Sequence, residues 1–160
     1  KNLNKNSIGI ELVNKGHQFG YTNFTKKQIL SLVKICKILT KKYKIKKNNI
    51  VGHSDISPLR KIDPGEKFPW EHLAKKKIGI WHDYKPNFLR KFRKNKIYKK
   101  HDEEKFFKNL NNIGYCFSFK KRFFLTKTLK AFQRHYRKEL INGLLDKECL
   151  IIAQNLRKKL

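Results

Sequence analysis

SIGIELV (7–13) alternates along its whole length, and its reading decides the fold. Ile8, Ile10 and Leu12 face one way and Gly9, Glu11 and Val13 the other, the two-residue period of a strand. A loop punctuated by Gly16 and Gly20 follows. TKKQILSLVKICKILTKKY (25–43) then changes period: Ile29, Leu32, Val33, Cys36, Leu39 and Tyr43 recur on one helical face, and lysines fill the other. Thr25 and Gln28 make a capping box at its start. IVG (50–52) reads as a buried returning strand that ends at His53. Strand, helix and returning strand predict an α/β layer, with a site at the strand end that His53 marks.

Further along, EHLAKK (71–76) predicts a short helix after Trp70, and the basic stretch 79–100, with Pro86, reads as a connection. A helix is expected from Asp102 to Gly114, and another over 125–140 with Leu125, Leu129, Phe132 and Tyr136 on one face. A third follows Asp146, a good N-cap, after a turn at Gly143. These three make a small helical bundle. The chain is thus divided into a domain over 1–83, a basic linker over 84–102 and a helical module over 103–160.

The net charge of +28 points to polyanions. Yet 33 of the 40 basic residues are lysine and only 7 arginine, and the lysines are scattered rather than gathered in one stripe. A phosphate-reading surface favours the bidentate fork of arginine. Abundant lysine, asparagine and isoleucine match a composition bias better than a selected nucleic-acid surface, and no nucleic-acid motif accompanies the charge. Cys36, Cys116 and Cys149 form no C-x-x-C pair, which argues against a disulfide framework or a cysteine zinc site. No apolar run is long enough to span a membrane and no signal peptide is visible. The chain has no methionine, so a processed chain or a fragment is expected.

VGHSDISPLRKIDPGEKFPW (51–70) differs from its surroundings, with three of the four prolines, a histidine, two aspartates and a tryptophan. His53 and Asp63 offer an imidazole and a carboxylate, both competent zinc ligands. Lys61 stands two residues before Asp63, so in an extended segment both point the same way. Pro58, Pro64 and Pro69 stiffen the loop and Gly65 permits a tight turn. On spacing alone the same residues also suit a polar loop with a capping aspartate.

The ordered run SIGIEL, G-H-S-D (52–55), K-x-D-P-G (61–65) and F-P-W (68–70) resembles the zinc-dependent N-acetylmuramoyl-L-alanine amidases of the amidase-2 type, relatives of the peptidoglycan recognition proteins. LKAFQRHY (129–136) and INGLLDKECL (141–150) resemble a peptidoglycan-binding module of three helices. The resemblance implies a mixed sheet flanked by helices, followed by the small three-helix bundle. It implies Zn²⁺ held by His53 and Asp63, with Glu11 and Lys61 as catalytic residues. Glu11 would handle the proton of the attacking water and Lys61 would donate to the oxyanion. The family's first ligand is a histidine on a strand before SIGIEL, and this chain begins after that position. His17, His72 and His82 do not match it and read as loop or surface histidines.

The implied reaction is hydrolysis of the amide between N-acetylmuramoyl and L-alanine, in peptidoglycan or free muropeptides. The alternative is a non-catalytic, decayed wall-binding protein. Retention of Glu11, Lys61 and Asp63 favours the enzyme. A wall-binding module implies a periplasmic or exported setting in the bacterial envelope, with a cytoplasmic setting as the alternative.

Overall fold

The computed structural model describes residues 5–97, 99–115 and 122–160; Cys116 lies outside them. Seven α-helices are seen among the described residues: α1 (Lys26–Lys42), α2 (His53–Ile56), α3 (Trp70–Lys75), α4 (Pro86–Arg90), α5 (Lys100–Ile113), α6 (Arg122–Tyr136) and α7 (Lys147–Arg157). A 3-10 turn over Lys47–Asn49 precedes α2.

The expected α/β architecture is not what forms. Among the described residues there is no strand and no sheet, apart from a single isolated antiparallel bridge between Lys96 and Asp146. Residues 7–15 form no regular element, and their alternation buries neither face. Ile8 is 50% exposed and Ile10 39%, while Val13 on the other face is 90% exposed. Alternation yields a strand only where a neighbour supplies ladder partners, and among the described residues this segment has none, although Leu12 packs against the first core. At 50–52 the backbone donors are taken locally. Ile50 N–H closes the 3-10 turn on the Lys47 carbonyl at 3.2 Å, and Gly52 N–H goes to the Asp55 carboxylate at 2.8 Å.

The helices follow from local signals. Thr25 accepts from the Gln28 amide at 3.2 Å while the Gln28 side chain accepts from the Thr25 amide at 2.8 Å, so the capping box fixes the start of α1. Ile29, Leu32 and Cys36 on α1 then pack with Phe68, Trp70, Leu73 and Ile78 into a first core. Gly114, at φ 108°, ends α5 in the left-handed conformation that favours glycine. Asp146 caps α7 by accepting from the Cys149 amide at 3.0 Å.

α5, α6 and α7 enclose a second, denser core in which Phe106, Leu110, Phe132, Ile152 and Leu156 are wholly buried. Trp81 packs against both cores. The segment around α4 lies on the second core through Trp81, Tyr84, Leu89 and Ile97. It is also tied by charge: Arg93 grips Glu148 bidentately, with both contacts at 2.8 Å. Arg137, 1% exposed, donates to Asp146 and, at 3.3 Å, to Glu148. Two arginines therefore neutralise two buried carboxylates, an arrangement that avoids the penalty of an unpaired buried charge.

Candidate active site

α2 is a single turn, and its sequence explains it. Gly52 stands at the N-cap, and Asp55, at the third helical position, folds its carboxylate back onto the Gly52 amide. His53 is thereby the first helical residue and projects to the surface. The loop that follows returns to it. Lys61 N–H donates to the Ser57 carbonyl at 2.9 Å, and the Ser54 amide donates to the Asp63 carbonyl at 2.9 Å. These bonds bring the Asp63 carboxylate beside the histidine, with His53 Nδ1 2.8 Å from Asp63 Oδ2. Both side chains are half-exposed, at 49% and 52%. Ten residues apart in sequence, the two meet because the loop between them is hydrogen-bonded to α2 at its far end.

The far side of the loop is held by aromatic and charged partners. Tyr21 Oη donates to the Pro64 carbonyl at 2.6 Å and accepts from the Lys67 amide at 3.1 Å. Burial pushes the Tyr21 hydroxyl up to about 12. Gly65, at φ 81°, is packed so closely that a Cβ there would lie 2.5 Å from Tyr21 Oη. His17 Nε2 pairs with Glu66 at 3.0 Å. Burial raises the Glu66 carboxyl, but backbone and His17 hydrogen bonds outweigh it and hold the group below its ordinary value.

Glu11 and Lys61 are not joined to the His53–Asp63 pair by any hydrogen bond or ion pair among the described residues. Glu11 is exposed on the irregular segment 7–15, and Lys61 is partly exposed on the loop. His17 is a loop histidine bound to Glu66, and His72 is exposed on α3. His82 is instead buried between Trp81 and Tyr84, and burial lowers its pKa.

The residue that sequence reasoning passed over is Asp55, the last of G-H-S-D. It is 5% exposed, and both its oxygens are taken. Tyr115 Oη donates to Oδ1 at 2.5 Å, while Oδ2 accepts from Gly52 and stands 2.7 Å from His135 Nδ1. Burial, then the charge of Asp55, pushes the Tyr115 hydroxyl well above its ordinary value. Tyr115 and His135 lie 60 and 80 residues further on, so nothing local announces the contact.

Residues 1–66 match the Amidase_2 family, described as N-acetylmuramoyl-L-alanine amidase. The N-acetylmuramoyl-L-alanine amidase AmiD of Escherichia coli is 36% identical over 168 residues, covering 98% of this chain and 59% of AmiD. The 1,6-anhydro-N-acetylmuramyl-L-alanine amidase AmpD of Haemophilus influenzae is 50% identical over 66 residues, 41% of this chain and 34% of AmpD. The chain thus spans less than two thirds of the length of either relative. Among solved structures, E. coli AmiD in complex with the substrate anhydro-N-acetylmuramic acid-L-Ala-D-gamma-Glu-L-Lys superposes with a TM-score of 0.74 at 32% identity, covering 88% of this chain and 55% of AmiD. AMPDH3 of Pseudomonas aeruginosa gives 0.74 at 30% identity, covering 88% and 56%. Residues 1–66 therefore match the Amidase_2 family, and the chain is similar in sequence to the amidases AmiD and AmpD.

Proposed function

We propose that this chain carries the metal-holding loop of a zinc-dependent N-acetylmuramoyl-L-alanine amidase acting on muropeptides or peptidoglycan. The carrying observation is the 2.8 Å approach of His53 to Asp63 inside the stretch that matches the family. An imidazole nitrogen and a carboxylate oxygen, both facing solvent, are donors that suit zinc. They account for two protein ligands; no group of three histidine, cysteine or acidic residues is gathered among the described residues. When bound, zinc supplies Lewis-acid polarisation of the amide carbonyl and acidifies water.

The remaining roles fall to side chains of this chain. Water adds to the lactyl carbonyl carbon of the muramoyl group. Glu11 takes the proton from that water and delivers it to the L-alanine nitrogen as the C–N bond breaks. Lys61 donates to the carbonyl oxygen as negative charge gathers there. The products are the free lactyl carboxylate and a peptide with a free N-terminal amine. Binding of residues 103–160 to glycan, and a place in the bacterial envelope, complete this reading.

The test incubates the full protein that contains this chain with zinc and anhydro-N-acetylmuramyl tripeptide, followed by mass spectrometry. Free tripeptide is expected from the wild type and none from His53→Ala or Asp63→Ala, which also lose zinc. Zinc uptake without product would favour the decayed, non-catalytic alternative. Equal zinc content in wild type and both variants would remove His53 and Asp63 from the metal site.

A further inference from the structure

The buried carboxylate of Asp55 joins the candidate site to the C-terminal helices. It sits two residues after His53 on the same helical turn, yet two of its three partners, His135 of α6 and Tyr115 just past α5, come from the second core. The His135 ring is fixed on both faces. It stacks on Trp70 at 3.9 Å and 14°, and on Tyr136 at 3.9 Å and 13°. His135 Nδ1 is the donor of this bond in the tautomer that carries its proton there. Nε2, on the other side of the ring, is buried and has no hydrogen-bond partner among the described residues. A Cβ on Gly52 would lie 2.7 Å from Pro64 Cδ and 3.3 Å from Asp55 Oδ2, which shows how closely the start of α2 rests on the residue next to Asp63. The start of α2 therefore rests on Pro64 and is tied to a carboxylate fixed by the second core.

We propose that His135 and Tyr115 are positioning residues for the His53–Asp63 pair: through Asp55 they hold α2 in the place that sets His53 against Asp63. The inference rests on the amidase reading for its functional meaning. It makes the helices beyond residue 100 part of the site's construction, in addition to any wall-binding role.

The experiment uses the whole chain with Tyr115→Phe, His135→Ala and His135→Asn. Asn places its Nδ2 donor where the histidine holds Nδ1, so it is the conservative rescue. Hydrogen exchange is followed at the Gly52 and Ser54 amides, which report the α2–Asp55 and α2–Asp63 bonds, and at Ala153 inside α7 as the reference. Zinc affinity is measured by calorimetry on the same proteins. Tyr115→Phe and His135→Ala are expected to speed Gly52 and Ser54 exchange about tenfold more than Ala153. They are expected to weaken zinc binding by about 10- to 100-fold, as loss of a ligand's supporting shell does. His135→Asn keeps both near wild type. Exchange at Gly52 and Ser54 that rises no more than at Ala153 overturns the proposal, because the change is then global loosening. Unchanged zinc affinity in a wild-type-like exchange background overturns it while leaving the amidase reading standing. A wild-type chain that takes up no zinc overturns the metal reading instead, and exchange alone then decides the clamp.

Discussion

Among the described residues, those up to 78 and those from 80 on are built to different densities. The second region buries Phe106, Phe132, Leu110 and Ile152 completely and neutralises its internal charges in a closed set. The first has a core of seven buried residues, none of them phenylalanine on α1, and leaves Leu30, Ile35 and Ile38 of that helix substantially exposed. Helix periodicity and capping in the second region describe a unit that satisfies itself. The alternation at 7–13 describes a surface that needs a neighbour to become a strand. The candidate site belongs to the thinner region, and Asp55 draws on the denser one for its support.

The sharpest break in this comparison is in the buried charges. Glu148, 0% exposed, holds Arg93 and Arg137 together. Glu148→Ala would leave two guanidinium groups facing one fewer carboxylate away from water, at a cost of about 3–5 kcal/mol. Urea unfolding should show the loss in α5–α7. A variant within experimental error of wild type would mean that the network is solvated.

Catalytic substitutions should behave in the opposite way. Among the described residues Glu11 and Lys61 make no ion pair, and neither is a core residue, so stability should hardly move. In the active protein, Glu11→Ala and Lys61→Ala should each lower turnover by roughly 100- to 1,000-fold, with zinc content retained. His53→Ala and Asp63→Ala should lose zinc and turnover together. If Lys61→Ala keeps near-normal turnover, the oxyanion role assigned to it is wrong.

Alkaline pH separates the regions by where each begins to weaken. Burial pushes the Cys149 thiol from 9.0 up to about 12, and the Tyr21 hydroxyl from 10.0 up to about 12. Both folded values lie above the unfolded ones, so the fold favours the protonated forms. Their stabilisation is full below the unfolded value and is lost as pH rises through the folded one. The contribution of Cys149 should start to fall near pH 9 and that of Tyr21 near pH 10. Denaturant midpoints measured from pH 8 to 12 for wild type, Cys149→Ala and Tyr21→Phe test this. Each variant should show a shallower decline than wild type, which cancels the shared effect of lysine deprotonation. Parallel curves would mean neither group is shielded in the native state.

How much of this was legible in the sequence depends on how far the deciding partner lies. α1, α5 and α7 were readable because Thr25, Gly114 and Asp146 end or begin them through contacts within four residues. His53 and Asp63 were readable as a pair because a short proline-rich loop carries both. The strands at 7–13 and 50–52 were misread because alternation records only which side chains are apolar. It does not record whether a ladder exists, and Ile50 and Gly52 had closer acceptors. Asp55 stood in plain view without a role, since its partners come from 60 and 80 residues away. Arg137, in a stretch rich in charge, reads as surface until the fold places it between Asp146 and Glu148.

The smallest expected effect bears on the thinner region alone. Thr25 satisfies the Gln28 amide, one of the orphan donors at the start of α1, and Gln28 returns the bond. The Gln28 side chain also donates to the Val13 carbonyl at 2.7 Å, so the cap ties α1 to the irregular segment before it. Thr25→Ala removes the hydroxyl acceptor and should cost about 1 kcal/mol, while Thr25→Ser, which keeps it, should cost much less. Asp146→Ala deletes the corresponding cap of α7 but also strips Arg137 of a buried partner, so it should cost clearly more. Hydrogen exchange should localise the difference. Thr25→Ala should speed the Gln28 amide and leave Ala153 in α7 unchanged, because α1 packs in the first core and α7 in the second. Equal acceleration at both amides would show that the two cores open as one cooperative unit, and the contrast between the regions would then be one of packing density and not of independent stability.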